Sequence, residues 1–211
     1  MSGMMLNVVG GTFGGLPAIG AAYEGGFFAG QIDQSGSIFN IVVGPVASAQ
    51  FATKQWKNAN TATTGANSVI DGPQNTADIV AHGNATVYPA GHFCNDLVIG
   101  GFTDWYMPAK NELEVCYFNL KPTTTSNNTS SGINPNAVPA RASNYTTGDP
   151  AQTAATDFRS TGAEDFAENY YWSSTKNGTN YARCQHFSDG LQASYYKNTS
   201  FRVRAIRRVA V

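Results

Sequence analysis

The sequence predicts an α+β fold in which strands come first, helices follow and strands return. Three patterns support this order: a β-hairpin pattern near the amino terminus, an amphipathic helix after Pro108, and an aromatic β-prone run at residues 170–175. The chain has 211 residues, which suits one sizeable domain with long loops. We therefore expect a single domain over residues 21–211, preceded by a short arm.

Residues 1–20 form the predicted arm. They contain Gly10-Gly11 and Gly14-Gly15, whose backbone freedom disfavours a helix or strand without outside support. Two interpretations stay open: a disordered terminus, or an arm whose apolar residues dock onto a partner. The sequence does not identify that partner.

The first strands form a hairpin. Residues 25–32 and 38–43 are rich in aromatic and β-branched side chains, and the turn residues 33–36 separate them. Two short helices are then expected, over residues 75–82 and 89–97. Asn75 is the predicted cap of the first, and Pro89 lies near the first turn of the second.

A longer helix begins after Pro108. A Gly-Gly turn at residues 100–101 directs Trp105 to the interior, and Glu112 is positioned to reach back to the helix start. One face of this helix is apolar, and Lys110, Glu114 and Asn119 lie elsewhere. The apolar residues are Leu113, Cys116, Tyr117 and Leu120. The core is expected to include Trp105, Leu113 and Trp172.

The segment 123–157 shows little periodicity and is rich in Thr, Ser, Asn, Gly and Pro. We interpret it as a long surface loop that could contact another protomer. Three strand candidates end the chain, at residues 181–187, 192–196 and 201–209. They predict a C-terminal antiparallel meander.

Composition narrows the classes of function. Hydrophobic residues make up 42% of the chain and charged residues 13%, so uncharged polar residues must cover much of the surface. This balance is typical of extracellular, virion-surface or fibre proteins. The net charge of −1 removes the electrostatic attraction that dominates nucleic-acid binding. We therefore do not expect nucleic-acid binding. Residues 1–20 lack a secretory-signal pattern and no apolar run could span a bilayer, so we do not expect membrane insertion either.

Several motifs together resemble the C-type-lectin-like domains at the C-termini of bacterial collagen-like adhesins and in phage tail-fibre proteins. The resemblance covers roughly residues 19–209. It rests on residues 25–30, 75–76, 100–108, 112–113, 171–175, 187–190 and 203–207. It implies a C-type lectin fold with paired terminal strands, two flanking helices and a second small sheet that presents a binding surface.

The resemblance also implies a function. Phage members are made in the host cytoplasm and assemble onto the virion, so the expected location is the tail fibre. The expected partners are a host-surface glycan or protein and a tail-fibre protein that receives the arm, and a homo-oligomer is expected. The alternative is a structural fibre or baseplate subunit without receptor contact.

Two departures from the family pattern bear on helix capping and on calcium binding. Ala109 stands where the family commonly has a capping Ser, so only Glu112 remains of that capping box. Calcium-dependent lectins carry carboxylates in motifs that here read Trp172-Ser173-Ser174 and Asn134-Pro135-Asn136. We therefore expect no metal site and no cofactor. His82, His92 and His186 likewise lack metal-ligand spacing.

The three cysteines Cys94, Cys116 and Cys184 suggest buried thiols, although a Cys94–Cys116 disulfide stays open. An oxidase of the formylglycine-generating type, which shares the C-type lectin fold, is a further alternative that would use Cys184. No Ser-His-Asp elbow or phosphate loop is present in the sequence. We expect a binding protein and not an enzyme.

The predicted ligand-binding residues lie in the C-terminal strands and their turns. Tyr, Asn, Ser and Arg are residue types that form adaptable recognition surfaces, although a solvated sheet edge would use some of them too. In C-type-lectin-like phage receptor-binding proteins the same stretch forms the ligand face. The predicted residues are Asn177, Asn180, Tyr181, Arg183, Gln185, Gln192, Ser194, Tyr195, Tyr196 and Asn198.

Overall fold

The computed structural model describes residues 15–211. The fold is α+β, with a curled antiparallel sheet, a second sheet and few helices. The first sheet contains strands β1 (Ala22–Tyr23), β2 (Gly26–Gln34), β3 (Ser37–Val43), β5 (Ala137–Val138) and β10 (Ile206–Ala210). The second sheet contains β4 (Gln50–Gln55), β6 (Tyr170–Asn177), β7 (Tyr181–His186), β8 (Gln192–Tyr196) and β9 (Ser200–Arg204).

The helices lie between the strands in sequence. They are α1 (Val46–Ala49), α2 (Gly72–Ala81), α3 (Pro89–Asn95) and α4 (Lys110–Leu120), with a 3₁₀ turn at Thr156–Phe158. Two hydrophobic clusters fill the interior. Leu113 lies in the first, together with residues of β2, β3 and α4, and Trp105 and Trp172 lie in the second. All three of these side chains are buried.

The predicted hairpin is formed by β2 and β3. Ser35 and Gly36 both have positive φ, as a tight hairpin turn requires, and the Gly36 N–H donates to Asp33 Oδ1 at 2.6 Å. The last strand, β10, runs antiparallel to β3 with Ile206 opposite Val43. This pairing joins the two ends of the domain in one sheet.

The C-terminal strands differ from the predicted meander. β6, β7 and β8 are antiparallel neighbours, but the third predicted strand is divided at Ala205 into β9 and β10, which belong to different sheets. β9 pairs with β4 and, in parallel, with β6, so β8 is left as an edge strand. The division occurs beside Arg204, which is fully buried and donates to the Gly44 carbonyl oxygen at 2.8 Å and to Glu164 Oε2 at 2.7 Å.

The predicted cap of α2 is wrong by one turn. The helix begins at Gly72, and the N-cap is Asp71, whose Oδ1 accepts from the Gln74 N–H at 3.3 Å. Asn75 is instead buried inside the helix, and its side chain accepts from and donates to the backbone of Ser68. The Asn75 amide thus pairs with both the N–H and the carbonyl oxygen of Ser68, whereas an N-cap needs only an acceptor oxygen.

The segment that runs from the Gly-Gly turn to Pro108 meets the aromatic run at residues 170–175. The Ser174 N–H donates to the Pro108 carbonyl oxygen at 2.7 Å, and the Lys110 N–H donates to Thr175 Oγ1 at 2.9 Å. Glu112 Oε2 accepts from the Ala109 N–H at 2.7 Å, as predicted. The start of α4 is therefore fixed to β6.

Glu114 lies on the buried side of α4, contrary to the prediction. Its carboxylate accepts from Tyr145 at 2.7 Å, from Asn134 and from Arg141, all within the irregular segment after α4. Asn127, Ser131, Asn134 and Tyr145 are buried, so this segment is not simply a surface loop. A charged anchor at α4 thus organises a segment with little regular secondary structure.

Residues 1–14 of the predicted arm lie outside the described residues. At its end, Ile19 packs against the first hydrophobic cluster, and the Gly20 N–H donates to the Phe28 carbonyl oxygen at 2.8 Å. The chain therefore enters the domain beside β2.

Candidate recognition face

Strands β7 and β8 separate the predicted ligand-binding residues onto two faces of the sheet. Directly opposite residues of an antiparallel pair share a face, and alternate residues of one strand do too. Tyr181 is opposite Tyr196, and Arg183 is opposite Ser194. Tyr195 is opposite Ala182 and so points to the other side. We call the side with Tyr181, Arg183, Ser194, Tyr196 and Asn177 the front face.

A stacked pair of tyrosines forms the exposed end of the front face. The rings of Tyr181 and Tyr196 are 4.6 Å apart between centroids and inclined by 26°. Tyr181 is 37% exposed and Tyr196 is 48% exposed. Asn177 Nδ2 donates to Ser194 Oγ at 3.0 Å beside them. The pair offers a preformed aromatic surface with phenol hydroxyls at its edge.

The middle of the front face is cationic. Arg183 is half-buried, and no carboxylate forms a salt bridge with it among residues 15–211. Burial and the nearby guanidinium of Arg183 lower the pKa of Lys110, while Glu114 opposes that shift. Hydrogen-bond donors therefore lie directly beside the tyrosine pair.

The inner end of the front face is covered, which corrects the prediction for Gln185. Gln185 is 1% exposed, and its amide donates to Tyr145 at 3.2 Å and to the Gly190 carbonyl oxygen at 3.3 Å. The Gln192 N–H donates to Ser131 Oγ at 3.0 Å, so the segment after α4 covers this end of β8. The sequence of the two strands does not show the covering segment.

Tyr195 lies in a second aromatic group on the opposite face. Its ring is 5.0 Å from that of Tyr170 and 5.0 Å from that of Phe201. The Tyr195 hydroxyl donates to the Tyr170 hydroxyl at 3.4 Å. Because one flat ligand surface cannot contact both sides of a sheet, Tyr195 and Tyr181 do not form one site.

Turns at one end of the sheet border the tyrosine pair. The Lys197 N–H donates to the Asn180 carbonyl oxygen at 3.0 Å, and the Asn198 N–H donates to Asn60 Oδ1 at 3.1 Å. Asn198 is exposed, and Asn180 is half-buried. These two predicted residues therefore extend the front face along its turns, beside a loop at residues 57–63.

Three lysines, which we call the lysine cluster, converge on that loop: Lys57, Lys176 and Lys197. Lys57 donates to the Ala62 carbonyl oxygen and Lys176 to the Thr63 carbonyl oxygen, each at 2.7 Å. Among residues 15–211, no carboxylate forms a salt bridge with any of the three. Carbonyl dipoles, and not anions, therefore hold these charges.

Lys197 is the most deeply placed member of the lysine cluster. Its ammonium donates to the carbonyl oxygens of Thr179 at 2.8 Å and Thr61 at 3.2 Å, and it lies 4.9 Å from the centre of the Trp56 ring. Burial lowers its pKa to about 8, and the charges of Lys57 and Lys176 act in the same direction. Sequence reasoning missed this cluster because its members are distant along the chain.

The three cysteines are buried, and Asp104 is paired with an arginine. Cys94, Cys116 and Cys184 are free and buried, and burial raises the pKa of Cys184 to about 12. Both oxygens of Asp104 accept from Arg207, at 2.8 and 3.0 Å. Residues 15–211 contain no group of three or more side chains arranged to bind a metal ion.

No helix among the described residues combines the length and apolarity that crossing a bilayer requires.

Each histidine has a local partner. His82 contacts the Asp78 carbonyl oxygen at 2.8 Å, His92 that of Gly83 at 2.6 Å, and His186 the Asp189 carboxylate at 3.1 Å.

Comparison with known protein families gives a match over most of the domain. The model of the Lcl C-terminal domain matches residues 50–207, about three quarters of the chain. The chain belongs to the Lcl C-terminal domain family. This is a domain of Lcl-type adhesin and phage-related proteins. No curated protein matches the sequence.

The Lcl C-terminal match begins at the first residue of β4 and ends within β10. It includes the whole second sheet, the lysine cluster and the segment after α4. The β2–β3 hairpin lies before it, although β10 pairs with β3. The front face therefore belongs to the part of the chain that defines the family.

Proposed function

We propose that this chain is the receptor-binding module of a phage tail fibre and attaches the virion to a glycan or protein on the host surface. Membership of an adhesin-related family supports a binding role. The observation that carries the proposal is the exposed stack of Tyr181 and Tyr196 on a well-packed sheet.

The front face has the chemistry of a recognition surface. Tyrosine contributes large contact area with little loss of side-chain freedom, and Asn and Ser contribute adaptable hydrogen bonds. Arg183 supplies donors that no carboxylate in the described chain occupies. The ligand that fits is one with flat apolar faces and many acceptor oxygens, which describes sugars as well as peptide segments.

The lysine cluster supports the same proposal because it orders the turns beside the tyrosine pair through hydrogen bonds to carbonyl oxygens. Lys197 holds the loop at residues 57–63 against Thr179, next to Asn180 and Asn198. We expect binding to be independent of calcium, because residues 172–174 and 134–136 lack the carboxylates of the calcium-binding lectin motifs. Residues 1–20 would attach the module to the fibre, and a homo-oligomer would present several copies of the face.

The test is binding of the purified, fluorescently labelled protein to intact candidate host cells, with and without EDTA. We expect saturable binding that EDTA does not reduce. Loss of binding in EDTA would contradict the calcium-independent site. A folded protein that binds none of the hosts its phage infects would instead favour the structural fibre or baseplate subunit.

The oxidase alternative has less support. A cysteine nucleophile must be a thiolate in solvent or substrate contact, whereas burial holds the thiol of Cys184 protonated at neutral pH. Replacing it provides a direct test: Cys184→Ser should leave cell binding intact. A cysteine-dependent oxidation of a substrate peptide that this variant abolishes would overturn the binding proposal.

A further inference from the structure

The two edges of the second sheet differ in how they are protected. The sheet ends at β4 on one side and at β8 on the other. On the β4 side, the pairing with β9 shifts register between Phe51 and Lys54, and Lys54 adds a charge. Strand β8 pairs with β7 without a register shift and contains no charged residue or proline. It therefore lacks the features that usually keep an edge strand from pairing with another chain.

Alternate residues of β8 direct their backbone groups away from β7. The Leu191 carbonyl oxygen accepts from the His186 N–H at 2.9 Å, and the Lys197 N–H donates to the Asn180 carbonyl oxygen at 3.0 Å. Residues that bond to the partner strand alternate in an antiparallel pair. The odd-numbered residues of β8 thus bond to β7, and the even-numbered residues point their N–H and C=O groups outward.

Two of the three outward-pointing residues are free to pair. The Gln192 N–H donates to Ser131 Oγ at 3.0 Å, so the segment after α4 occupies the start of the edge. The N–H and C=O of Ser194 and the N–H of Tyr196 have no hydrogen-bond partner within residues 15–211. The Tyr196 carbonyl oxygen accepts from the Thr199 N–H at 2.9 Å and keeps a second lone pair. The free part of the edge is residues 194–196.

These free groups are complementary to a second copy of the same strand. Two β8 strands related by a two-fold axis at Tyr195 run antiparallel, and Ser194 of each copy then lies opposite Tyr196 of the other. Opposite residues of this kind exchange both N–H···O bonds, so every free outward group gains a partner. A register that paired Gln192 would instead meet the segment bound at Ser131.

The exposure of Tyr195 fits the same register. Tyr195 is 38% exposed on the face opposite the front face, where its ring adjoins those of Tyr170 and Phe201. At the two-fold axis it lies opposite Tyr195 of the second copy in a non-hydrogen-bonded pair, the arrangement in which facing side chains are closest. Aromatic pairs across strands stabilise a sheet. The pairing thus covers an aromatic side chain that one copy leaves exposed.

We propose that residues 194–196 form a self-association edge through which two copies of this chain join their second sheets into one. The two-fold axis is perpendicular to the sheet, so both front faces lie on the same side and stay exposed. The pairing itself does not depend on receptor binding; only its role, the presentation of two front faces together, rests on the proposed function.

Sedimentation velocity of the whole chain at rising protein concentration is the first test. We expect a reversible dimer, and a chain that stays monomeric throughout would overturn the proposal. Ser194→Pro removes the outward N–H without removing a bond to β7, and it should raise the dimer Kd by about tenfold or more. Ser194→Ala is the matched control, because it loses the same side-chain bond from Asn177 but keeps the N–H. It should dimerise like the wild type. Equal Kd values for the two variants would count against edge pairing.

Cross-linking tests the register and needs no proline in the strand. The Cβ atoms of a non-hydrogen-bonded pair lie about 4.5–5.5 Å apart, close to the spacing of a disulfide. Tyr195→Cys should therefore form a disulfide between two copies under mild oxidation. Tyr181→Cys is the control, since Tyr181 is 37% exposed but lies on β7, away from the edge, and the native cysteines are buried. Equal cross-linking of both variants would overturn the proposal. No host cell enters either experiment, so their failure is distinct from a failure of receptor attachment.

Discussion

Lys197 donates to the carbonyl oxygen of Thr179 at 2.8 Å and thereby joins the turn after β8 to the turn after β6. The same ammonium reaches Thr61, so one side chain connects three segments that are distant in sequence. Carbonyl oxygens of these segments surround the lysine ammonium. Lys197 therefore contributes to the order of the turns that border the front face.

Lys197→Met should loosen these turns. Without the ammonium, the carbonyl groups of Thr61 and Thr179 lose a shared donor, so we expect faster amide hydrogen exchange in residues 57–63 and 177–180. Exchange in β2 and β3 should not change. Lys54→Met is the control, because the Lys54 ammonium lies over the Phe51 ring and does not touch this loop. Equal exchange in wild type and Lys197→Met would show that the lysine does not hold the turns.

The raised pKa of Glu112 predicts a specific pH dependence of the unfolding free energy. Burial raises the pKa of Glu112 from 4.5 to about 7, although hydrogen bonds from Ala109 and Tyr106 oppose the shift. The folded state therefore binds this proton more tightly than the unfolded state. Its contribution is fully present below pH 4.5, falls as the pH rises to about 7, and stays low above it.

Glu112→Gln tests this dependence because the amide can still accept from Ala109 and donate to Tyr106. Between pH 4.5 and pH 7.5, the wild type should lose on the order of 3 kcal/mol of unfolding free energy relative to Glu112→Gln. Urea denaturation at several pH values measures the difference. A constant difference across this range would contradict a raised pKa.

Arg141 should be essential to the anchor of the segment after α4. Arg141→Met leaves the Glu114 carboxylate buried without its cation, so we expect a loss of about 3–5 kcal/mol in unfolding free energy. The double variant Arg141→Met with Glu114→Gln removes the unpaired charge and should recover part of that loss. Chemical denaturation gives both values. If the double variant is no more stable than the single one, the charge pair is not the reason for the loss.

Turn residues and apolar spacing predicted the elements whose structure depends on residues close together in the sequence. The β2–β3 hairpin follows from its turn residues, and α4 follows from the spacing of Leu113, Cys116, Tyr117 and Leu120. Residue types in β7, β8 and their turns pointed to most of the front-face residues, but also to Tyr195, which lies on the opposite face.

What could not be predicted depends on contacts between distant segments. Glu114 has the sequence environment of a solvent-facing helix residue, and only the covering segment makes it buried. The break at Ala205 and the burial of Gln185 also depend on contacts between segments that are distant in sequence. The lysine cluster joins residues 57, 176 and 197, and no spacing in a single sequence reveals such a group.

Cell binding by a Tyr181→Ala, Tyr196→Ala double variant tests recognition through the front face. We expect affinity for host cells to fall by about tenfold or more, because truncating exposed, preorganised tyrosines removes the main contact area. Tyr195→Ala, on the opposite face, should bind like the wild type, and particles should still assemble with either variant. Wild-type binding by the double variant would contradict recognition through the front face, and loss of assembly would indicate a structural subunit instead.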